Sequence, residues 1–259
     1  MFSVLDAVKY AIEAVGGFEV LKKRDFQEFL SLTGEAFFTS PLEDMVGTSQ
    51  EGPFPYIPMR SLNASVYSLF TEVFQKEIHR VPVADEFENI IYILTQSRAV
   101  QWLEKHMPEL GTRGHEKIQD LGLVNQDHGV AITVNRKVRA LEALKVIMDN
   151  KIQGLGVVDD DGRLVGSFSA SDLKFMTAET FPYLIHSVEQ FIGMMRARLQ
   201  GSVDPVPMPP PIDCKPTHSL WHVVNKLVKN HVHRVFVVDD DKKPIGVVTL
   251  TNVIEAMLV

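Results

Sequence analysis

Three stretches of the chain place apolar residues at i, i+3, i+4, i+7 and i+8, the stripe of a helix with one buried face. In Asn63–His79 the stripe is Val66, Leu69, Phe70, Val73 and Phe74. In Lys137–Gln153 it is Ala140, Ala143, Leu144, Ile147 and Met148, and in Thr217–His233 it is Leu220, Val223, Val224, Leu227 and Val228. Each stretch is 17 residues long, and the three align without a gap. A run rich in β-branched residues follows each one (HRVPVAD, QGLGVVD, HRVFVVD) and predicts a short strand. Acidic turn residues come next, at Asp85-Glu86, Asp159–Gly162 and Asp239–Lys243, and suit hairpin connections. The returning strands are Ile90–Leu94, Leu164–Phe168 and Ile245–Val248, after which Thr95, Ser169 or Thr249 opens a further helix. Thr95, Ser169 and Thr249 each lie sixteen positions after His79, Gln153 and His233. A strand–helix–strand–strand–helix unit therefore recurs three times.

The N-terminus fits the same frame, because MFSVLDAVKYAI superposes on YILTQSRAVQWL when Ser3 is set on Thr95. The chain is expected to open inside a first copy and to hold only its last strand end and closing helix. A longer native protein, or another chain, is expected to supply the rest. Between the units, residues 19–61 carry a helical pattern (Phe26, Phe29, Leu30) and then GTSQEGPFPYIPM. Residues 178–200 read as one amphipathic helix through Ile185, Val188, Phe191, Ile192 and Met195. The segment DPVPMPPPI at 204–212 is polyproline-like and predicts a stiff exposed strap.

Composition narrows the function. With 259 residues, 45% hydrophobic and 23% charged, the chain has an ordinary core-forming make-up. No apolar run approaches the roughly 18 residues that span a bilayer, and the first residues mix acid and base with no basic leader. A net charge of −7 disfavours broad binding to nucleic acid. The single cysteine, Cys214, excludes an internal disulfide framework. A reducing compartment is expected, cytoplasm or nucleus, with neither nucleic acid nor membrane as partner.

An apolar helix, His-Arg ahead of an apolar strand, a hairpin and Thr/Ser-x-x-Asp at a helix start together resemble the CBS repeat. NASVYSLFTEVFQKEIHRVPV with YILTQSRAVQWL, and later VHRVFVVDDDKKPIGVVTLTNVIEAM, resemble the gamma regulatory subunit family of AMP-activated protein kinase. The resemblance covers nearly the whole chain apart from the first part of the first repeat. It implies an α/β fold of tandem CBS repeats (β-α-β-β-α), paired into Bateman modules that form a disc around a central adenine-nucleotide pocket. It also implies the segmentation: residues 1–18 as the remnant of a first repeat, 40–107 as the second, 116–178 as the third and 203–259 as the fourth.

An adenine nucleotide needs particular partners. A carboxylate accepts both ribose hydroxyls in charge-assisted bonds. A hydroxyl and the amides of a helix start hold phosphate oxygens, and arginine adds a planar fork. Adenine takes an apolar slot. Ser3-x-x-Asp6 and Ser169-x-x-Asp172 match the family's ribose motif, whereas Thr249-x-x-Asn252 substitutes a neutral amide. Thr95-x-x-Arg98 reverses the charge, and the family also carries arginine in that repeat, where its site is generally empty. His79-Arg80 and His233-Arg234 match the phosphate-facing pairs; the third repeat has Gln153 there, beside Ile152, which joins the candidate set. Family lysines fall on Ser97 and Gln101, which thins the basic funnel.

Each motif also has a plainer reading. Ser/Thr-x-x-Asp at a helix start is commonly a cap with a first-turn acid, and His-Arg before a strand is also met as a solvated edge. His218 and His222, like His231 and His233, have no third ligand at metal-binding spacing. Asp159–Asp161 is a turn, and Met194-Met195 belong to a core. No Walker loop or nucleophile–base constellation is present, so neither catalysis nor a catalytic cofactor or metal is expected. The resemblance implies a non-catalytic regulatory subunit that binds AMP, ADP or ATP and regulates a serine/threonine protein kinase complex in response to energy status. Its partners would be the kinase catalytic (alpha) and scaffold (beta) subunits. Two rival readings are a nucleotide-insensitive scaffold subunit of the same complex, favoured by Asn252, Gln153, Ser97 and Gln101, and a stand-alone CBS regulator of another enzyme or transporter.

Overall fold

The computed structural model describes residues 8–10, 12–13, 17–21, 65–76, 78–85, 87, 89–109, 111–124, 131–177 and 179–258. Ser3, Asp6 and the Phe26, Phe29, Leu30 stripe lie outside them. The second repeat comprises α1 (Val66–Glu72), a 3-10 turn (Phe74–Lys76), β1 (Arg80–Ala84), β2 (Ile90–Thr95) and α2 (Gln96–His106). The third comprises β3 (Thr133–Asn135), α3 (Ala140–Asp149), β4 (Gly154–Val158), β5 (Leu164–Ser169) and a 3-10 turn (Ala170–Leu173). A second 3-10 turn (Phe181–Ile185) and α4 (Val188–Gln200) connect it onward. The fourth comprises β6 (Asp213–Cys214), α5 (Leu220–Lys229), β7 (Arg234–Val238), β8 (Pro244–Thr249) and α6 (Leu250–Ala256).

Sheet topology repeats as the sequence does. The hairpin pairs β1–β2, β4–β5 and β7–β8 are antiparallel, while β3 lies parallel to β4 and β6 parallel to β7. A parallel pair needs a crossover, which α3 and α5 supply. All three hairpins slip register at one place, between Val83 and Ala84, Val157 and Val158, and Val237 and Val238. The acidic turns work as staples. Asp85 Oδ1 accepts from the N–H of Phe87 and Asn89, both at 2.9 Å, and Asp159 Oδ1 from Asp161 and Arg163 at 3.0 and 2.9 Å. Asp239 Oδ1 accepts from Lys243 at 2.8 Å.

Two compact units result. The described residues before Pro53 join Ile132–Pro211, and those of Phe54–Ala131 join Ile212–Val259. The second and fourth repeats thus fall in one unit and the third in the other. In the second-and-fourth unit α2 packs on α5 and α6, burying Val100, Leu103, Leu220, Val224, Val253 and Ile254. In the unit that holds the third repeat Val8 and Ile12 join Leu144, Ile147, Phe168 and Phe191, the last two edge to face at 5.7 Å. Each fully buried Leu, Ile or Phe contributes about 1.5–3 kcal/mol. Burial also pushes the Cys214 thiol up to about 12. Among the described residues no helix is long and apolar enough to cross a membrane.

Three expectations are corrected. The third repeat's closing helix is only the 3-10 turn Ala170–Leu173, because Lys174 is extended and Phe175 turns to φ +68°. Residues 178–200 are not one helix, since α4 begins at Val188, where Ser187 and Gln190 form a capping box. The proline-rich strap is not simply exposed. Val206 donates its N–H to the Gly193 carbonyl at 3.2 Å, and Met208 lies over Gly166.

Candidate nucleotide-binding site

The residue before the first strand of each hairpin meets the residue after the second. Gln96 donates its N–H to the His79 carbonyl at 3.1 Å, Ala170 to Gln153 at 3.0 Å and Leu250 to His233 at 3.2 Å. Arg80 faces Thr95, Gly154 faces Ser169 and Arg234 faces Thr249 across the last rung. The constant spacing of sixteen is therefore the length of one hairpin, and it sets the His-Arg residues beside the hydroxyl that opens the next turn. In the third repeat glycine stands where the other two carry arginine.

Each hydroxyl is a cap. Thr95 Oγ1 accepts from the Arg98 N–H at 3.2 Å, and no acid returns the bond. Ser169 Oγ accepts from the Ser171 N–H at 3.3 Å, while Asp172 Oδ2 accepts from the Ser169 N–H and hydroxyl at 2.7 and 2.9 Å. Thr249 Oγ1 accepts from the Asn252 N–H at 3.3 Å, and Asn252 Oδ1 accepts from the Thr249 N–H and hydroxyl at 2.9 and 2.7 Å. The third and fourth repeats thus share one box, closed by a carboxylate in one and an amide in the other.

Ile152 closes a helix end. Its N–H reaches the Ile147 carbonyl at 3.1 Å past Lys151 at φ +55°, and its side chain packs on the core. Val232 repeats this past His231 at φ +52°. A cleft of about 180 Å³ opens in the second-and-fourth unit, lined by Ser97, Gln101, Leu227, His231, His233 and Leu250. Its polar lining is amide, hydroxyl and imidazole. The structure therefore gathers His79, Arg80 and Thr95 in one hinge, His233, Arg234, Thr249 and Asn252 in a second, and Ile152, Ser169 and Asp172 in a third. Asp172 belongs to one unit, and His233 with Arg234 to the other.

Sequence reasoning missed Gln96. It is buried, with Oε1 at 3.0 Å from His79 Nδ1 and Nε2 donating to Thr251 Oγ1 at 3.1 Å. The signal was present, because Gln96, Ala99, Val100 and Leu103 form an i, i+3, i+4, i+7 stripe with one amide in it. Elsewhere, His218 Nδ1 accepts the Lys215 N–H at 3.1 Å, and the His218 and His222 rings lie 4.2 Å apart. Among the described residues no three His, Cys, Asp or Glu side chains are grouped to hold a metal.

The CBS domain family matches residues 130–176 and 203–259. These two segments are CBS domains. The chain is an α/β protein of tandem CBS domains, and the third and fourth hinges lie inside the two matched segments. Over 257 residues the CBS-domain chain is 26% identical to the 5'-AMP-activated protein kinase subunit gamma-3 of Homo sapiens, covering 92% of this chain and 50% of that protein. It is 28% identical over 207 residues to protein sds23 of Neosartorya fischeri, covering 77% of this chain and 37% of that one. The chain thus spans half or less of these relatives. Among solved structures, a Methanocaldococcus jannaschii protein described as an archaeal homologue of the kinase's gamma chain shares the fold with a TM-score of 0.62 and 18% identity, over 97% of this chain and 81% of its own. A conserved Pyrococcus horikoshii protein does so with a TM-score of 0.56 and 17% identity, over 78% and 79%.

Proposed function

We propose that the chain is a non-catalytic regulatory subunit that binds an adenine nucleotide (AMP, ADP or ATP) through its CBS repeats and regulates a serine/threonine protein kinase complex in response to energy status. One observation carries the reading: the same hairpin hinge recurs in register three times, with Asp172 closing the third-repeat box and imidazole and guanidinium groups at the second and fourth. A carboxylate suits the ribose hydroxyls, and the basic pair suits phosphate. The likeness to the gamma-3 subunit over 92% of the chain points to kinase catalytic and scaffold subunits as partners. In this reading Ser169 and Asp172 of the 116–178 repeat are ribose-binding groups, and His233 and Arg234 of the 203–259 repeat are phosphate-binding groups. Ser3 and Asp6, of the 1–18 remnant, would likewise be ribose-binding groups, and His79 and Arg80 of the 40–107 repeat phosphate-binding ones. AMP or ADP that binds one of two states of the chain more tightly than ATP does would, on exchange with ATP, shift the chain toward that state.

The neutral cleft lining at Ser97 and Gln101, with Asn252 in place of an acid, supports a second reading, a scaffold subunit indifferent to nucleotide. Isothermal titration of the purified chain with AMP separates the two. Saturable heat supports the first reading, and none at millimolar AMP sinks it. Retrieval of a kinase catalytic chain with the tagged protein from its native cells tests the partner; a different enzyme or a transporter in its place would favour the stand-alone regulator.

A further inference from the structure

Gln96 and Thr180 are the two polar residues buried among the described residues, and Gln96 is 4% exposed. A buried primary amide needs partners for its oxygen and its N–H groups. The fold does not require an amide here, since the corresponding positions after Ser169 and Thr249 are Ala170 and Leu250. What the amide adds is a link. Its Oε1 lies 3.0 Å from His79 Nδ1, and its Nε2 donates to Thr251 Oγ1 at 3.1 Å, in the first turn of α6, 155 residues further along the chain.

We propose that Gln96 is a positioning residue for His79. Thr251 Oγ1 is 3.1 Å from Nε2 and, more weakly, 3.4 Å from Oε1; with Nε2 directed to Thr251 the amide presents its carbonyl oxygen to the imidazole, and only an Nδ1–H can answer an acceptor. Gln96 therefore holds neutral His79 as the Nδ1–H tautomer, leaves Nε2 as the ring's other hydrogen-bonding atom, and anchors the second repeat's His-Arg hinge to the closing helix of the fourth. A second bond on the far nitrogen is the usual way a protein fixes which face of an imidazole meets a ligand. At the position of Gln96 the fourth repeat carries Leu250.

The tautomer stands apart from nucleotide binding; its bearing on AMP rests on the function proposed above. The test is long-range proton–nitrogen correlation on the 15N-labelled, ligand-free chain at pH 8, with His79 assigned by His79→Gln. The parent should show a protonated Nδ1 and a bare Nε2. Gln96→Leu, which copies the fourth repeat, should fold and move the ring toward Nε2–H. Thr251→Val should shift it in the same direction, and Gln96→Glu, which keeps an acceptor, should restore Nδ1–H. A parent ring already in the Nε2–H form, or one unmoved in Gln96→Leu, overturns the proposal; should Gln96→Leu fail to fold, Thr251→Val decides by the same shift. AMP titrated into the same samples should bind about 2- to 12-fold more weakly to Gln96→Leu, the worth of one ordinary hydrogen bond. A moved tautomer with unchanged AMP affinity leaves the positioning intact and removes His79 from the phosphate site.

Discussion

Asp172 holds both polar groups of Ser169 with a single carboxylate oxygen, the N–H at 2.7 Å and the hydroxyl at 2.9 Å. The residue offered for ribose binding therefore also closes a turn, and removing the side chain tests two things at once. A first-turn acid contributes about 0.3–1 kcal/mol, so Asp172→Ala should lose some stability as well as any nucleotide. Asp172→Asn is the cleaner variant. It keeps an acceptor oxygen for Ser169, as Asn252 does for Thr249, and replaces the other oxygen with a donor. Its urea midpoint should stay near the parent's while AMP affinity falls by roughly 10- to 150-fold, the range for a hydrogen bond to a charged group. Parent-like AMP binding by a folded Asp172→Asn would remove the ribose role.

The fourth repeat carries the same experiment in reverse. Asn252 spends its amide oxygen on the cap, at 2.9 Å from the Thr249 nitrogen and 2.7 Å from its hydroxyl. The amide face turned away from the cap is then the NH₂, a donor, where the motif calls for an acceptor. Asn252→Asp should fold without loss, because the box geometry is already that of Ser169 and Asp172. It should raise affinity for AMP by about tenfold, or add one bound nucleotide, in isothermal titration. Unchanged affinity and stoichiometry would take Asn252 out of the site.

What the sequence made legible is whatever depends on a residue's own element. Helix stripes, the staple aspartates and the hydroxyl caps each follow from local spacing, and the constant sixteen reports a hairpin closed by bonds such as Leu250 to His233 at 3.2 Å. What it hid depends on partners far along the chain. Thr251 lies 155 residues from Gln96, so no window that includes His79 contains the third member of that chain of bonds. The strap misled for a related reason: proline content reports backbone stiffness, while the partly buried Met208 packs over a glycine on β5, far back in the sequence. The missing helix after Ser169 turned on one backbone, φ +68° at Phe175, which no stripe encodes.

Acid should loosen the second-and-fourth unit. His218 is held below its ordinary value of 6.5 by burial first, then by Lys226 and Lys215, and His222 by burial, then His218 and Lys226. Unfolded imidazoles take up protons near 6.5 and the folded ones only at lower pH, so the unfolded chain binds more protons in that window. Stability then rises with pH. The contribution is complete above about pH 7 and is lost progressively as pH falls below 6.5. His218→Asn keeps an acceptor for the Lys215 N–H, now at 3.1 Å from the ring, and carries no charge. Combined with His222→Gln, it should flatten the dependence of the urea midpoint on pH between 8 and 5. Equal slopes for parent and double variant would show that these two imidazoles do not set it.

The strap joining the third repeat to the fourth is held at two glycines of unequal tolerance. A Cβ at Gly166 would meet the Met208 Sδ and Cε at 2.4 and 2.5 Å, the far end of a flexible side chain that has other rotamers. A Cβ at Gly193 would stand 2.9 Å from the Val206 carbonyl oxygen, which is backbone and is fixed by the Val206 N–H donating to the Gly193 carbonyl at 3.2 Å. Alanine in a helix is worth about 1 kcal/mol over glycine, and overpacking costs about 1–3 kcal/mol. The clash should win at Gly193, because only moving the strap relieves it, for a net loss of up to about 2 kcal/mol. At Gly166 the methionine yields, and alanine's smaller loss of backbone freedom offsets much of the strain, leaving a change within about 1 kcal/mol. Urea unfolding of Gly166→Ala and Gly193→Ala side by side tests the ranking. If Gly193→Ala proves as stable as the parent, α4 does not hold the strap through that contact, and the expectation of a simply exposed segment regains its ground.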